Sequence, residues 1–339
     1  MLAATAALSS VAAGPIALAG PAAHAAPAAG AERPSPVVGI AHCLLVDESR
    51  TTFDYANGET LPGRRLAIEI RYPARRAGVS YPTIFFAPGF DVTPDTYAAL
   101  LDSWVRSGFV VVGLTFPDTD PSGVAAAKVG DAEDDVVNQP ADMAFVVRTL
   151  VQATRETNPA CRIVRGLIDP TEIGLAGQSD GGETVAMQAY DRSEGYADLD
   201  DGLGIRAVAV MSGAEIGDGP YEAVPGDPAL LVVQSATDQC NPPQESTELY
   251  DSIVQRDRWF LDIHRADHLP PYDGADPAAF AVVARVTARF FLLELSGRQP
   301  AAGFLEYGDA DPDVATLTSG ASAPPIAPLP GLESACYLA

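Results

Sequence analysis

The chain has 339 residues, a net charge of −24, a hydrophobic fraction of 47% and four cysteines. So acidic a surface repels nucleic acid and anionic lipid headgroups, which excludes both as partners. Beyond the N-terminal region no segment reaches membrane-spanning length without charges, and the length suits one large α/β domain behind a leader.

Residues 1–31 contain no Lys, Arg, Asp or Glu and are dominated by Ala, with an A-x-A cleavage signal at Ala23-His24-Ala25. We read 1–25 as a secretory signal peptide, although a basic stretch after Met1 is missing. Gly14-Pro15 and Gly20-Pro21 interrupt the apolar run and argue against a membrane anchor. The Ala/Pro-rich stretch 26–36 is expected to be a flexible linker, 37–297 the catalytic domain and 298–339 a C-terminal tail.

Val37 to Val46 predicts the first strand. Asn57-Gly58 is a turn signal, and Arg65 to Tyr72 alternates through Leu66, Ile68 and Ile70 as a second strand. Thr83 to Phe86 reads as a short buried strand ending at Ala87-Pro88-Gly89. Thr93-Pro94 predicts an N-cap with proline at the first helical position; Tyr97, Leu100, Leu101, Trp104 and Val105 follow at helical spacing up to Gly108. Phe109 to Phe116 is a continuous apolar run, as for a strand covered on both faces. Pro117 to Pro140 is acidic, lacks periodicity and reads as a long loop; Met143 to Val151 marks another helix.

Ile173-Gly174-Leu175-Ala176 then runs as a strand into Gly177-Gln178-Ser179-Asp180-Gly181-Gly182, with a helix from Glu183 to Tyr190. Further strands are predicted at Arg206 to Met211, Leu230 to Gln234 and, last, Trp259 to His264. Helices are predicted over Gln244 to Val254 and Ala278 to Leu295. Alternating strands and helices with buried apolar strands imply a mostly parallel central sheet with helices on both faces. The dinucleotide-type pattern at Gly202 to Ala207 precedes its strand, so no phosphate-cradling helix follows it.

Strand, G-x-S-x-G, helix is the pattern of a nucleophile elbow, with Ser179 on the turn. A serine hydroxyl needs a base to take its proton and a carboxylate to orient that base. Beyond the leader there are three histidines, His42, His264 and His268. His268 is favoured because it stands in the loop after a strand, at the carboxyl edge where the elbow also lies; His264 reads as a packed strand-end residue. Asp238 follows the Leu230 to Gln234 strand and precedes His268, so the chain order is Ser179, Asp238, His268; the bland alternative is a turn aspartate. Backbone N–H groups of Asp180 and, from Pro88-Gly89-Phe90-Asp91, of Phe90 are expected to form the oxyanion hole.

The four cysteines permit two disulfides in three connectivities, which the sequence leaves open; a bridge at Cys240 would brace the turn carrying Asp238. No C-x-x-C pair exists, so no zinc or thioredoxin-like site is read, and neither a metal nor an organic cofactor is expected.

On Arg71-Tyr72-Pro73, Ala87-Pro88-Gly89-Phe90, Gly177 to Gly182, Asp238 and Ala266-Asp267-His268, residues 37–297 resemble α/β-hydrolases, above all secreted bacterial esterases of the platelet-activating-factor acetylhydrolase-like, cutinase-like and chlorophyllase-like group. That resemblance implies an α/β-hydrolase fold and a secreted carboxylester hydrolase working through an acyl-enzyme on small-molecule or lipid-like esters. We expect it to act outside the cell, as a monomer. In that group His or Trp often precedes the nucleophile, where this chain has Gln178. Asp180 is also unusual beside the serine, and polyester-cleaving relatives carry a tryptophan in the loop that here is 212–227 and has none. The segment between Met211 and Leu230 is too short for a helical lid, which leaves the acidic 117–140 segment as the expected rim, one disfavouring anionic substrates. A serine peptidase or amidase on the same fold, or a catalytically silent binding protein, are the alternatives.

Overall fold

A computed structural model describes residues 37–326 except 75–77, 128, 157–160, 201, 214–220, 242, 255, 298–310 and 321. The expected leader, the linker and most of the tail, including Cys336, lie outside the described residues.

The chain starts with a long antiparallel pair, β1 (Val38–Asp54) and β2 (Glu59–Pro73). The turn falls at the expected Asn57-Gly58, where Gly58 has φ +67° and donates its N–H to Asp54 O at 2.7 Å. Both strands outrun their apolar patterns, because ladder hydrogen bonds continue through Thr51–Asp54 and Glu59–Pro62 into solvent, where pairing needs no burial.

The core of the sheet is β3 (Tyr81–Ala87), β4 (Val110–Thr115), β5 (Ile168–Gln178), β6 (Ile205–Met211), β7 (Ala229–Ser235) and β8 (Arg258–Ile263). Among the described residues the nine-stranded sheet has the order β1-β2-β4-β3-β5-β6-β7-β8-β9, parallel from β4 to β8 and antiparallel at β1, β2 and β9 (Ala315–Thr318). Alternate strand residues face two separate cores. Phe85, Val110 and Val112 pack with Met143, Val147 and Leu150 of α4 (Gln139–Ala153) and Val185 and Ala189 of α5 (Asp180–Tyr190). Ile84, Phe86 and Val111 pack on the other face with Leu101 and Trp104 of α1 (Ala98–Arg106) and Val286, Phe290 and Phe291 of α8 (Pro277–Ser296). Burying each such side chain contributes roughly 1.5–3 kcal/mol. Trp104 Nε1–H donates to Thr287 Oγ1 at 2.8 Å, so the largest core side chain also satisfies its one donor. The remaining helices are α2 (Pro121–Ala126), α3 (Val129–Glu133), α6 (Pro243–Ser252) and α7 (Pro270–Asp273).

Three local expectations are corrected. Thr93 stands at the N-cap in extended conformation but its side chain makes no capping bond, and the first turn, Pro94–Tyr97, winds as 3₁₀ before α1. Trp259 to His264 is not the last strand: β9 pairs with β8 from within the region read as a tail, and His264 Nε2 lies 2.9 Å from Thr316 Oγ1. Four residues, Ala-Thr-Leu-Thr, carry too little pattern to announce a strand without the edge they pair with. Of the pairings left open, the structure holds Cys43–Cys161, with Cα atoms 5.8 Å apart, and Cys240 is also disulfide-bonded.

The 117–140 segment is the third correction. It is not a loop but α2, α3 and a 3₁₀ turn, Asp134–Asn138, each too short to show a period. Asp120 caps α2, its carboxylate accepting from Ser122 N at 3.0 Å and Gly123 N at 2.7 Å. Two of its acids, Asp118 and Asp135, turn inward, while Asp131 and Asp134 stay exposed. Arg64, buried on β2, donates to Asp142 at 2.8 and 3.0 Å, to Asp118 at 3.1 Å and to Asp135 at 3.0 Å. Arg50 pairs with Asp142 as well, and with Asp47. Burial alone would loosen the Arg64 proton, but its hydrogen bonds to the Asp142 and Asp135 carboxylates outweigh it and raise its pKa. Burial first, then the negative charge of Asp135, push the Asp118 carboxyl up to about 6.

Arg64→Met should cost on the order of 3–5 kcal/mol at neutral pH, since it strands buried carboxylates; urea unfolding measures it. Asp118 has its folded pKa above the ordinary carboxylate value, so the folded chain holds an extra proton between about pH 4 and 6 and loses stability as pH rises through that window. Asp118→Asn should flatten that part of the stability–pH curve.

Candidate active site

Three strand ends meet at the carboxyl edge of the sheet. β5 runs into α5 through Ser179, which has φ 57° and ψ −129°. Holding a non-glycine residue there costs about 1–3 kcal/mol and requires tight packing around it. The glycines supply that packing. A Cβ on Gly177 would lie 1.8 Å from Gly181 O, and one on Gly181 would lie 2.1 Å from Ala87 O at the end of β3. Ser179 N–H donates to Met211 O at 3.0 Å, tying the turn to β6 as well. Asp91, Ser179 and Ser212, the non-glycine residues with positive φ among the described residues, stand just after β3, β5 and β6.

Asp238 follows β7 and is fully buried. Its Oδ1 accepts from Cys240 N at 2.9 Å and Asn241 N at 3.0 Å, so the turn itself orients the carboxylate. His268 lies between β8 and α7, with Nδ1 2.9 Å from Asp238 Oδ2 and 3.1 Å from Oδ1. The loop before it is pinned at Ala266, whose carbonyl accepts from Ser235 Oγ at 2.7 Å and Thr237 Oγ1 at 3.0 Å. The structure thus brings His268 to Asp238, and it leaves His264 at the β8–β9 edge.

Nε2 of His268 faces Gln178 Nε2 at 3.1 Å, and no hydrogen bond joins it to Ser179 Oγ. Ser179 Oγ instead receives a long contact, 3.5 Å, from Asn241 Nδ2, which donates more closely to Ser212 O at 2.8 Å. Gln178 Oε1 accepts from Tyr97 Oη at 2.6 Å, and Tyr97 Oη accepts from Gly89 N at 3.2 Å. Burial, and after it the charges of Asp180 and Asp273, raise the Tyr97 pKa, although the Gly89 amide opposes them, so this phenol stays protonated.

The loop after β3 abuts the elbow: a Cβ on Gly89 would meet Ser179 Cβ at 2.9 Å and Gln178 Oε1 at 3.1 Å. With the Gly89 amide committed to Tyr97, Phe90 supplies the next amide along this loop. Asp91 N–H donates to Thr119 O at 2.9 Å and anchors the loop from behind. Asp180 is the first residue of α5, so its N–H sits at the positive end of the helix, while its side chain is buried. Among the described residues no group of three or more His, Cys, Asp or Glu side chains is placed to hold a metal ion, and no helix is long and apolar enough to cross a membrane.

No family model matches the chain, and no curated protein matches it. Among solved structures it is similar to a ferulic acid esterase from Streptomyces cinnamoneus, with 18% identity and a TM-score of 0.55 over 81% of this chain and 94% of that one. The chain has the α/β-hydrolase fold. At this identity the likeness speaks for the fold alone.

Sequence reasoning did not anticipate Tyr97, Asn241 or the side-chain role of Gln178. Tyr97 reads as one more apolar position of a helix, and its hydroxyl carries no pattern. Asn241 lies three residues after Asp238 in a turn whose shape only the fold reveals. Gln178 is flagged as a departure from the resembled esterases, and its partners are the reason it matters. Gly177→Ala should lower stability by about 3 kcal/mol, the upper end of overpacking costs, because the clash is with backbone; thermal melting reads the loss.

Proposed function

We propose that the chain is an exported serine carboxylester hydrolase. Ser179 Oγ attacks the acyl carbon and passes its proton to His268 Nε2. Asp238 holds the imidazole by Nδ1 and stabilises the imidazolium that forms. The tetrahedral oxyanion is received by the N–H groups of Phe90 and Asp180. His268 then protonates the departing alkoxide, and water, deprotonated by the same imidazole, releases the acid from the acyl-enzyme.

The observation that carries this reading is the buried Asp238 bonded to His268 Nδ1 beside a serine held on an elbow whose glycines admit no side chain. The apposition of Gly89 to Ser179 supports an oxyanion loop at Phe90. Asp180 fits that role through its backbone N–H at the first position of α5. The ferulic acid esterase likeness favours esters, and esters of aromatic acids belong among the first substrates to try. Export agrees with a disulfide at Cys43–Cys161, since such bonds persist in oxidising compartments. With acids of the 117–140 segment drawn toward Arg64, an anionic acyl group is less disfavoured than that segment's composition suggests.

Turnover of p-nitrophenyl esters from acetate to palmitate, and of methyl ferulate, tests the proposal. Ser179→Ala should reduce kcat by on the order of 10³-fold or more, and Asp238→Asn by about 10⁴-fold. Wild-type turnover by Ser179→Ala would overturn the mechanism, and cleavage of amides alone would point to a peptidase. Activity should fall on acidification, because an imidazolium cannot accept the serine proton; full activity at about pH 4 would remove His268 as the base.

A further inference from the structure

The hydrogen bonds behind the site run in one direction, and their two ends fix it. A backbone amide can only donate, so Gly89 N–H makes Tyr97 Oη an acceptor at 3.2 Å. The Tyr97 proton is then given to Gln178 at 2.6 Å, which identifies that atom as Oε1 and turns the Gln178 NH₂ toward His268. At the other end a carboxylate only accepts, so Asp238 takes the proton on His268 Nδ1 at 2.9 Å. His268 Nε2 is left as an acceptor, and Gln178 Nε2–H donates to it at 3.1 Å.

We propose that Gln178 is a positioning residue that holds the resting His268 as a neutral base through a hydrogen bond to Nε2, with Tyr97 and Gly89 setting its polarity, and that Ser179 Oγ–H replaces Gln178 on Nε2 during turnover. The exchange rests on the serine-hydrolase reading; the resting arrangement does not.

The relay has a chemical consequence. A proton on Nε2 would face the Gln178 NH₂, donor against donor. Turning the amide round would relieve that contact only by setting its NH₂ against the Tyr97 O–H. The network therefore offers His268 Nε2 a donor and no acceptor in the resting protein. Other groups at the site act the opposite way. Asp238 bonds the ring, and Asp267 Oδ1 takes the His268 backbone N–H at 2.9 Å. Asp180 from α5 and Asp273 from α7 act on Tyr97, and Tyr272 is packed nearby under the field of Asp238 and Tyr97. All of these are common to every variant below, so differences between variants report Gln178.

The test follows the His268 imidazole by ¹⁵N-resolved NMR through a pH titration of the full chain, assigned by loss of its signals in His268→Ala. Gln178→Met keeps the volume and removes the donor; it should move the His268 midpoint up by roughly 0.5–1 pH unit. Tyr97→Phe frees the Gln178 amide to turn and should move it in the same direction by less. Gln178→Glu places an acceptor on Nε2 and should raise the midpoint by about 1–3 units. The acid limb of kcat/KM for an ester should shift in parallel. Unchanged midpoints in Gln178→Met and Gln178→Glu, with both folded by circular dichroism, would overturn the proposal. Should wild type hydrolyse no ester, the enzymatic reading fails, yet the NMR shifts still decide the relay.

Discussion

Gly177 and Gly181 touch backbone to backbone across the turn that carries Ser179, and Gly181 touches the end of β3 in the same way. A Cβ at either position would have no space, and the contact leaves Ser179 in a conformation that other residues adopt only under constraint. The same packing sets distances elsewhere. It seats β3 beside β5, which brings the Gly89 loop against Ser179 and Gln178. The order of the sheet therefore matters chemically: with β4 and β5 flanking β3, and β6, β7 and β8 following, the loops after β3, β5, β7 and β8 open at one edge. The elbow, Asp238 and His268 stand at the carboxyl ends of parallel strands, where crevices form in open α/β folds.

Charge is managed in two places by full use of donors. Around Arg64, Asp118 and Asp135 of the 117–140 region and Asp142 of α4 are gathered onto one guanidinium, with Arg50 assisting at Asp142. This region is joined to the site by neutral hydrogen bonds: Gln139 Nε2 donates to Thr119 Oγ1 at 3.0 Å, Gln139 Oε1 accepts from Thr184 Oγ1 at 2.6 Å, and Thr119 O holds the Asp91 amide. Behind His268, the Gly89–Tyr97–Gln178 series ends on a donor, so the imidazole meets Asp238 on one side and an amide proton on the other. The first network supports the loop that follows β3; the second bears on which nitrogen of His268 is open to a proton.

Much was legible in the residues alone where the signal is local. Apolar runs such as Phe109 to Phe116 and Leu230 to Gln234 became buried parallel strands. The strand, G-x-S-x-G, helix pattern became the turn at Ser179, and a place in the loop after a strand picked out His268, which bonds an aspartate, over the strand-end His264, which bonds Thr316. These features rest on spacing within a few residues or on simple chain order, both of which the linear chain already contains. The rest follows from contacts between distant segments. The strand at Ala315–Thr318 exists because β8 offers an edge. Asp118 and Asp135 face inward because Arg64, far back in β2, is buried beneath them. The roles of Tyr97, Gln178 and Asn241 depend on hydrogen-bond direction between groups dozens of residues apart, and a donor has no direction until the fold supplies its acceptor.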